Sequence, residues 1–137
     1  MMKRVLVGFD GSEGAEDALN KAMMIIDDDG ELVLIAIITL PSDRNLLDQK
    51  TYEIIKLRAH ILINNVIRDL GSHSYTIKGM VKEGEDIAAL IIDVANELNC
   101  DLIVLGSRGS SSLGKYPIGS VANKVVQYAA KPVMVVR

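Results

Sequence analysis

The chain has 137 residues, 49 % hydrophobic and 24 % charged, with a formal net charge of −3. That is enough for one domain spanning 1–137 with a real core, and too little for a substrate domain beside a nucleotide domain. The acidic balance argues against a footprint on nucleic acid, and the absence of Trp argues against base stacking as a mode of work.

Read along the chain, strands and helices alternate. "RVLVGF" (4–9) is a short unbroken apolar run, as in a strand covered on both faces. Ser12 is placed to cap a helix whose start is acidic (Glu13, Glu16, Asp17), and Ala15, Ala18, Leu19, Ala22, Met23 and Ile26 follow at helical spacing. "DDDG" (27–30) lacks the alternating ligands and distal Glu of a calcium loop and reads as a turn. "ELVLIAIITL" (31–40) is a second buried strand.

From Asp43 to Leu70 the pattern predicts one long amphipathic helix, with Leu47, Ile54, Ile55, Ile61, Leu62, Val66 and Leu70 inward and Gly71 as its stop. "SYTIKGMVK" (74–82) alternates and carries lysines, the pattern of an edge strand. A helix over 86–98, an apolar strand over 101–106, a helix over 118–130 and the strand "PVMVV" (132–136) complete the order. The fold class is therefore α/β: a doubly wound, five-stranded parallel sheet with helices on both faces, Rossmann-like. Such sheets bind ligands at the carboxyl ends of their strands, where the strand order reverses.

The longest apolar run is strand-length and "MMKRVLVGFDGS" is too short for a signal peptide, so a soluble cytoplasmic protein without a membrane partner is expected. The one cysteine, Cys100, implies no oxidising compartment and reads as a small buried apolar residue.

"GSRGSSSLGKYPIGS" (106–120) contains two overlapping phosphate frames. Gly109 to Lys115 spells most of a P-loop, but Tyr116 stands where that loop needs a Ser or Thr hydroxyl for its metal. Pro117 also holds Tyr116 extended, so a helix cannot begin at Lys115. The longer frame fits better. Gly106 ends a strand, where a missing side chain admits ribose or phosphate. Gly109 permits a turn, and Gly119 and Ser120 open a helix whose free N–H groups favour an anion. Arg108 and Lys115 are candidates for compensating charge, or are solvated loop cations. The acidic start of the first helix would repel phosphate. Asp10 is then available to a hydrogen-bond-donating group such as an adenine amino group; equally, it reads as a turn-forming carboxylate.

These residues carry a resemblance. "VLVGFDGSEGAEDAL", "CDLIVLGSRG" and "IGSVANKVVQYAAKPVMVVR" make the chain similar to the universal stress protein family over essentially its whole length. The spacing of Gly106, Gly109 and Gly119-Ser120 resembles that of its ATP-binding branch. The resemblance implies adenine at Asp10 and Ile37 with Gly8 close by, and ribose at Leu105 and Gly106. It implies phosphates at Gly109, Gly119, Ser120 and Val121, with a divalent ion (Mg2+ or Mn2+) on them. The chain departs from the pattern at Gly8, where many ATP-binding members have proline. The resemblance also implies a homodimer through the last strand, Pro132 to Val136. That strand is apolar on both faces and lacks lysine guards, so antiparallel pairing with a second copy would cover an edge otherwise prone to aggregate.

The expected function is a nucleotide-dependent regulator of the stress response, read by an unknown protein partner, with at most slow ATP hydrolysis. His60 and His73 lie outside the Gly-rich segment, and no residue there is suited to activate water. The alternatives are a slow ATP hydrolase or adenylyl-transferring enzyme on the same fold, and a nucleotide-free adapter of the same family. A phosphoacceptor receiver domain is disfavoured, because Asp10 has no acidic neighbour and no Lys follows the last strand.

Overall fold

The computed structural model describes residues 1–107 and 118–137. Its elements are β1 (Arg4–Gly8), α1 (Glu13–Ile25), β2 (Glu31–Thr39), a 3-10 turn (Arg44–Leu46), α2 (Gln49–Leu70), β3 (Thr76–Gly84), α3 (Ile87–Glu97), β4 (Leu102–Gly106), α4 (Ser120–Tyr128) and β5 (Val133–Val136). The strands form one sheet in the order β3-β2-β1-β4-β5, and every pairing is parallel. The expected doubly wound fold is present.

Two apolar layers hold it together. On one face Val5, Val7, Leu34 and Val104 pack with α1 and with Ile63 of α2. On the other Leu6, Ile35, Ile103 and Leu105 pack with Ile91 and Val94 of α3 and with Ala122 and Val125 of α4. The central strands β1, β2 and β4 are buried on both sides, which is why they read as unbroken apolar runs. β3 lies at one edge, as its alternation and lysines suggested.

Two boundaries differ from the sequence reading. The span 43–70 is not one helix: Asp43 accepts the N–H of Asn45 and Asp48 that of Thr51, so two acidic caps start two separate turns and α2 begins only at Gln49. The inward face of α2 also differs. Ile54, Ile55 and Ile61 are exposed, whereas Ile63 is buried and Ile67 packs beside it. β3 runs two residues later than expected, because all nine of its positions pair with β2, from Thr76 opposite Glu31 to Gly84 opposite Thr39.

The amino ends of the strands are tied by charge. Glu31 takes the Arg4 guanidinium at 3.0 Å and the Lys78 ammonium at 2.8 Å, so β1, β2 and β3 are joined through one carboxylate. Asp101 accepts the backbone N–H groups of Lys3 and Arg4. Cys100 is 1 % exposed, and burial pushes its thiol pKa up to about 11, as befits a packing residue rather than a nucleophile.

Candidate functional site

The strand order reverses between β1 and β4. From β1 the chain steps outward to β2 and β3, then returns to lay β4 on the opposite side of β1. The carboxyl ends of β1 and β4 therefore send their connections in opposite directions, and it is between such strand ends that sheets of this class form a crevice.

Gly8 closes β1 on the face of α3 and α4. A Cβ there would lie 2.8 Å from Leu105 Cδ2, so a side chain at this position would have to push the end of the Leu105 side chain aside. Ile37 packs on the same face, two residues beyond Ile35, the β2 partner of Gly8. Asp10 follows in the turn out of β1. Its Oδ1 accepts the Ser12 N–H at 2.9 Å, and Gly11 beside it adopts a φ of 81°, a left-handed conformation suited to glycine. The turn-forming reading of Asp10 is thus realised in the structure.

Gly106 has a packing role that the sequence did not reveal. A Cβ there would come within 2.6 Å of the carbonyl carbon and oxygen of Gly14, so the first turn of α1 occupies the space that a side chain would need. On this side, Gly106 is covered by helix backbone. Leu105 is buried against α3 and α4.

The start of α4 differs from the starts of the other helices. Ser12, Asp48 and Asp86 each accept an N–H from the first turn of α1, α2 and α3. α4 begins on Gly119, with no side-chain cap and no acidic residue in its first turn, whereas α1 has Glu13 and Glu16 there. Nothing on the helix itself quenches the positive end of its dipole. Ser120 is exposed and Val121 half-buried at this end. The Gly119 N–H donates to the carbonyl of Ser107, which pins the start of α4 to the carboxyl end of β4.

Gly8, Ile37, Leu105, Gly106, Gly119, Ser120 and Val121 therefore sit at or next to one end of the sheet, with Asp10 in the turn that leaves it. Arg108, Gly109 and Lys115 lie outside the described residues, so the expectations placed on them do too. Two neighbours were missed. Ser107 is 6 % exposed, with its N–H on the Val136 carbonyl; a polar residue directly after an apolar strand was the available signal. Lys82 pairs in register with Ile37 at the same end of the sheet, which only strand order could reveal. Among the described residues, no group of three or more His, Cys, Asp or Glu side chains could hold a metal ion.

Fold and strand order together define a doubly wound α/β protein, a class that takes its ligands at such a switch point. The Universal stress protein family matches residues 1–137, and the chain belongs to that family. A relative from Staphylococcus aureus (strain USA300), whose name carries the words universal stress protein, is 27 % identical over 98 % of this chain and 84 % of its own length. The solved structure of the hypothetical protein MJ0577 is 27 % identical with a TM-score of 0.77, covering 99 % of this chain and 96 % of that one. Universal stress protein UspA from Lactobacillus plantarum, at 21 % identity and a TM-score of 0.78 over 99 % and 98 %, shares the fold. Among the described residues, no helix is long and apolar enough to cross a membrane.

Proposed function

We propose that this chain is an ATP-binding regulator of the stress response, acting as one domain in the cytoplasm. The observation that carries the reading is the start of α4, uncapped and free of carboxylates, pinned beside the crevice between β1 and β4. A helix start of this kind favours a polyanion. In this reading Gly119, Ser120 and Val121, joined by Gly109 and Arg108, hold the phosphates. Leu105 and Gly106 line the ribose, and Asp10 and Ile37 meet the adenine beside Gly8. Proteins of the same fold have been solved in complex with cAMP and, from Arabidopsis thaliana, with AMP bound. At 22 % and 14 % identity they share the fold, and they support a nucleotide as the class of ligand rather than any position or residue role.

A divalent ion, Mg2+ or Mn2+, would accompany the phosphates in this reading. It would neutralise phosphate charge. The chain's own contribution is to bind and orient; hydrolysis, if present, stays below about one turnover per second, the low end of ordinary enzymes. Dimerisation through Pro132–Val136 would cover β5, the sheet edge opposite β3.

Calorimetric titration with ATP tests the site. Ser120→Glu places a carboxylate at an exposed position at the helix start, and ATP affinity should fall by about tenfold or more, the equivalent of roughly 1.4 kcal/mol. Unchanged affinity in that variant would overturn the assignment.

A further inference from the structure

The outward side of α2 carries an apolar stripe that the fold does not use. Ile54, Leu57 and Ile61 are 50 %, 60 % and 46 % exposed. At 100° per residue they fall within one narrow band, on the opposite side of the helix from Ile63, Val66 and Ile67, which pack on the sheet. Soluble surfaces tolerate scattered apolar residues, but a contiguous row marks an interaction site.

The charges beside this row are mainly cationic: Lys50 and Arg58 stand against Glu53, which lies one turn before Leu57. Lys50 lies one turn before Ile54 and Arg58 one turn after it. Among the described residues, neither makes an ion pair. Within a chain of net charge −3, α2 carries Lys50, Lys56, Arg58 and Arg68 against only Glu53 and Asp69. Two copies of α2 laid parallel in register would set Lys50 against Lys50 and Arg58 against Arg58. A lipid surface needs a broader apolar face than three side chains spanning about 10 Å. The spacing i, i+3, i+7 instead suits a partner helix lying along the row.

We propose that this face of α2 docks an amphipathic helix of a partner protein, its apolar stripe seated on Ile54, Leu57 and Ile61 and its flanking carboxylates on Lys50 and Arg58. Charge complementarity makes the choice of partner: acidic helices are accepted and basic ones refused.

The test uses the full chain and a pair of fluorescent synthetic helices of roughly 20 residues, long enough to be helical alone. One carries Leu at i, i+3 and i+7 with flanking Glu; its twin has Lys in place of Glu. The acidic peptide should bind saturably by anisotropy and the basic one should not. Leu57→Gln, and separately Lys50→Glu with Arg58→Glu, should each weaken binding by about tenfold, the loss expected of a central anchor. All three positions are exposed, and circular dichroism melts matching the parent verify that the variants fold. Equal binding of both peptides, no binding, or binding indifferent to the variants overturns the proposal. So does capture by phosphatidylserine vesicles, or self-association in sedimentation, that Leu57→Gln abolishes; either result assigns the row to another occupant.

Discussion

Gly106 has no room for a side chain, and Gly14 is what fills the place. A methyl group there must displace the backbone of the first turn of α1, because no flexible side chain stands in between. Gly106→Ala should therefore cost about 1–3 kcal/mol, the usual range for overpacking. The urea midpoint should fall with an unchanged slope; an unaltered midpoint would contradict the packing. The sequence marked Gly106 for a ligand, and the structure gives it a packing role that the sequence did not show. A glycine that receives a ligand and one that receives a helix look the same in a string of letters. Asp10 shows the same ambiguity: its turn-forming hydrogen bond to Ser12 is a local effect and was legible, whereas whether a carboxylate meets a ligand is not decided by its neighbours in sequence.

Among the elements, β1, β2 and β3 are linked through Glu31. Its carboxyl pKa is held below the ordinary 4.5, first by the hydrogen bond from Lys78 and then by the charge of Arg4, with partial burial opposing both. A depressed folded-state pKa contributes stability above the unfolded value and loses it as pH falls through the folded one. Lys78→Met should thus lower stability at neutral pH and flatten its decline in acid, the two proteins converging once the pH has fallen through the depressed folded-state pKa and Glu31 is protonated in folded and unfolded chains alike. Denaturation midpoints measured across that interval check the sign; parallel curves would show that Lys78 contributes nothing. Element order was readable because central strands are apolar throughout and α1, α2 and α3 carry a Ser or Asp cap at their starts. α2 was misread because it is apolar on two opposite sides. Periodicity alone cannot say which side meets the sheet, and Ile63 won over Ile54 by tertiary position. The competing caps at Asp43 and Asp48 were visible in the letters but not ranked by them.

At the scale of the molecule, strand order decides which residues become neighbours. The alternation of elements announced a parallel sheet, but only the order β3-β2-β1-β4-β5 brings Gly8 against Leu105 and Lys82 alongside Ile37. The two edges are defended unequally. β3 carries Lys78 and Lys82, while β5 is Val-Met-Val-Val. If the proposed dimer forms there, Val135→Lys should give a monomer by light scattering while ATP binding persists, since the crevice lies between β1 and β4. A dimer that survives the substitution would place the interface elsewhere. The hydrogen bond from Gly119 to Ser107 has a practical consequence as well. Chain that departs at Ser107 and rejoins at Gly119 begins and ends at one fixed anchorage. Strand end and helix start are thereby coupled as one joint, so a reporter group placed on either should register a disturbance of the other.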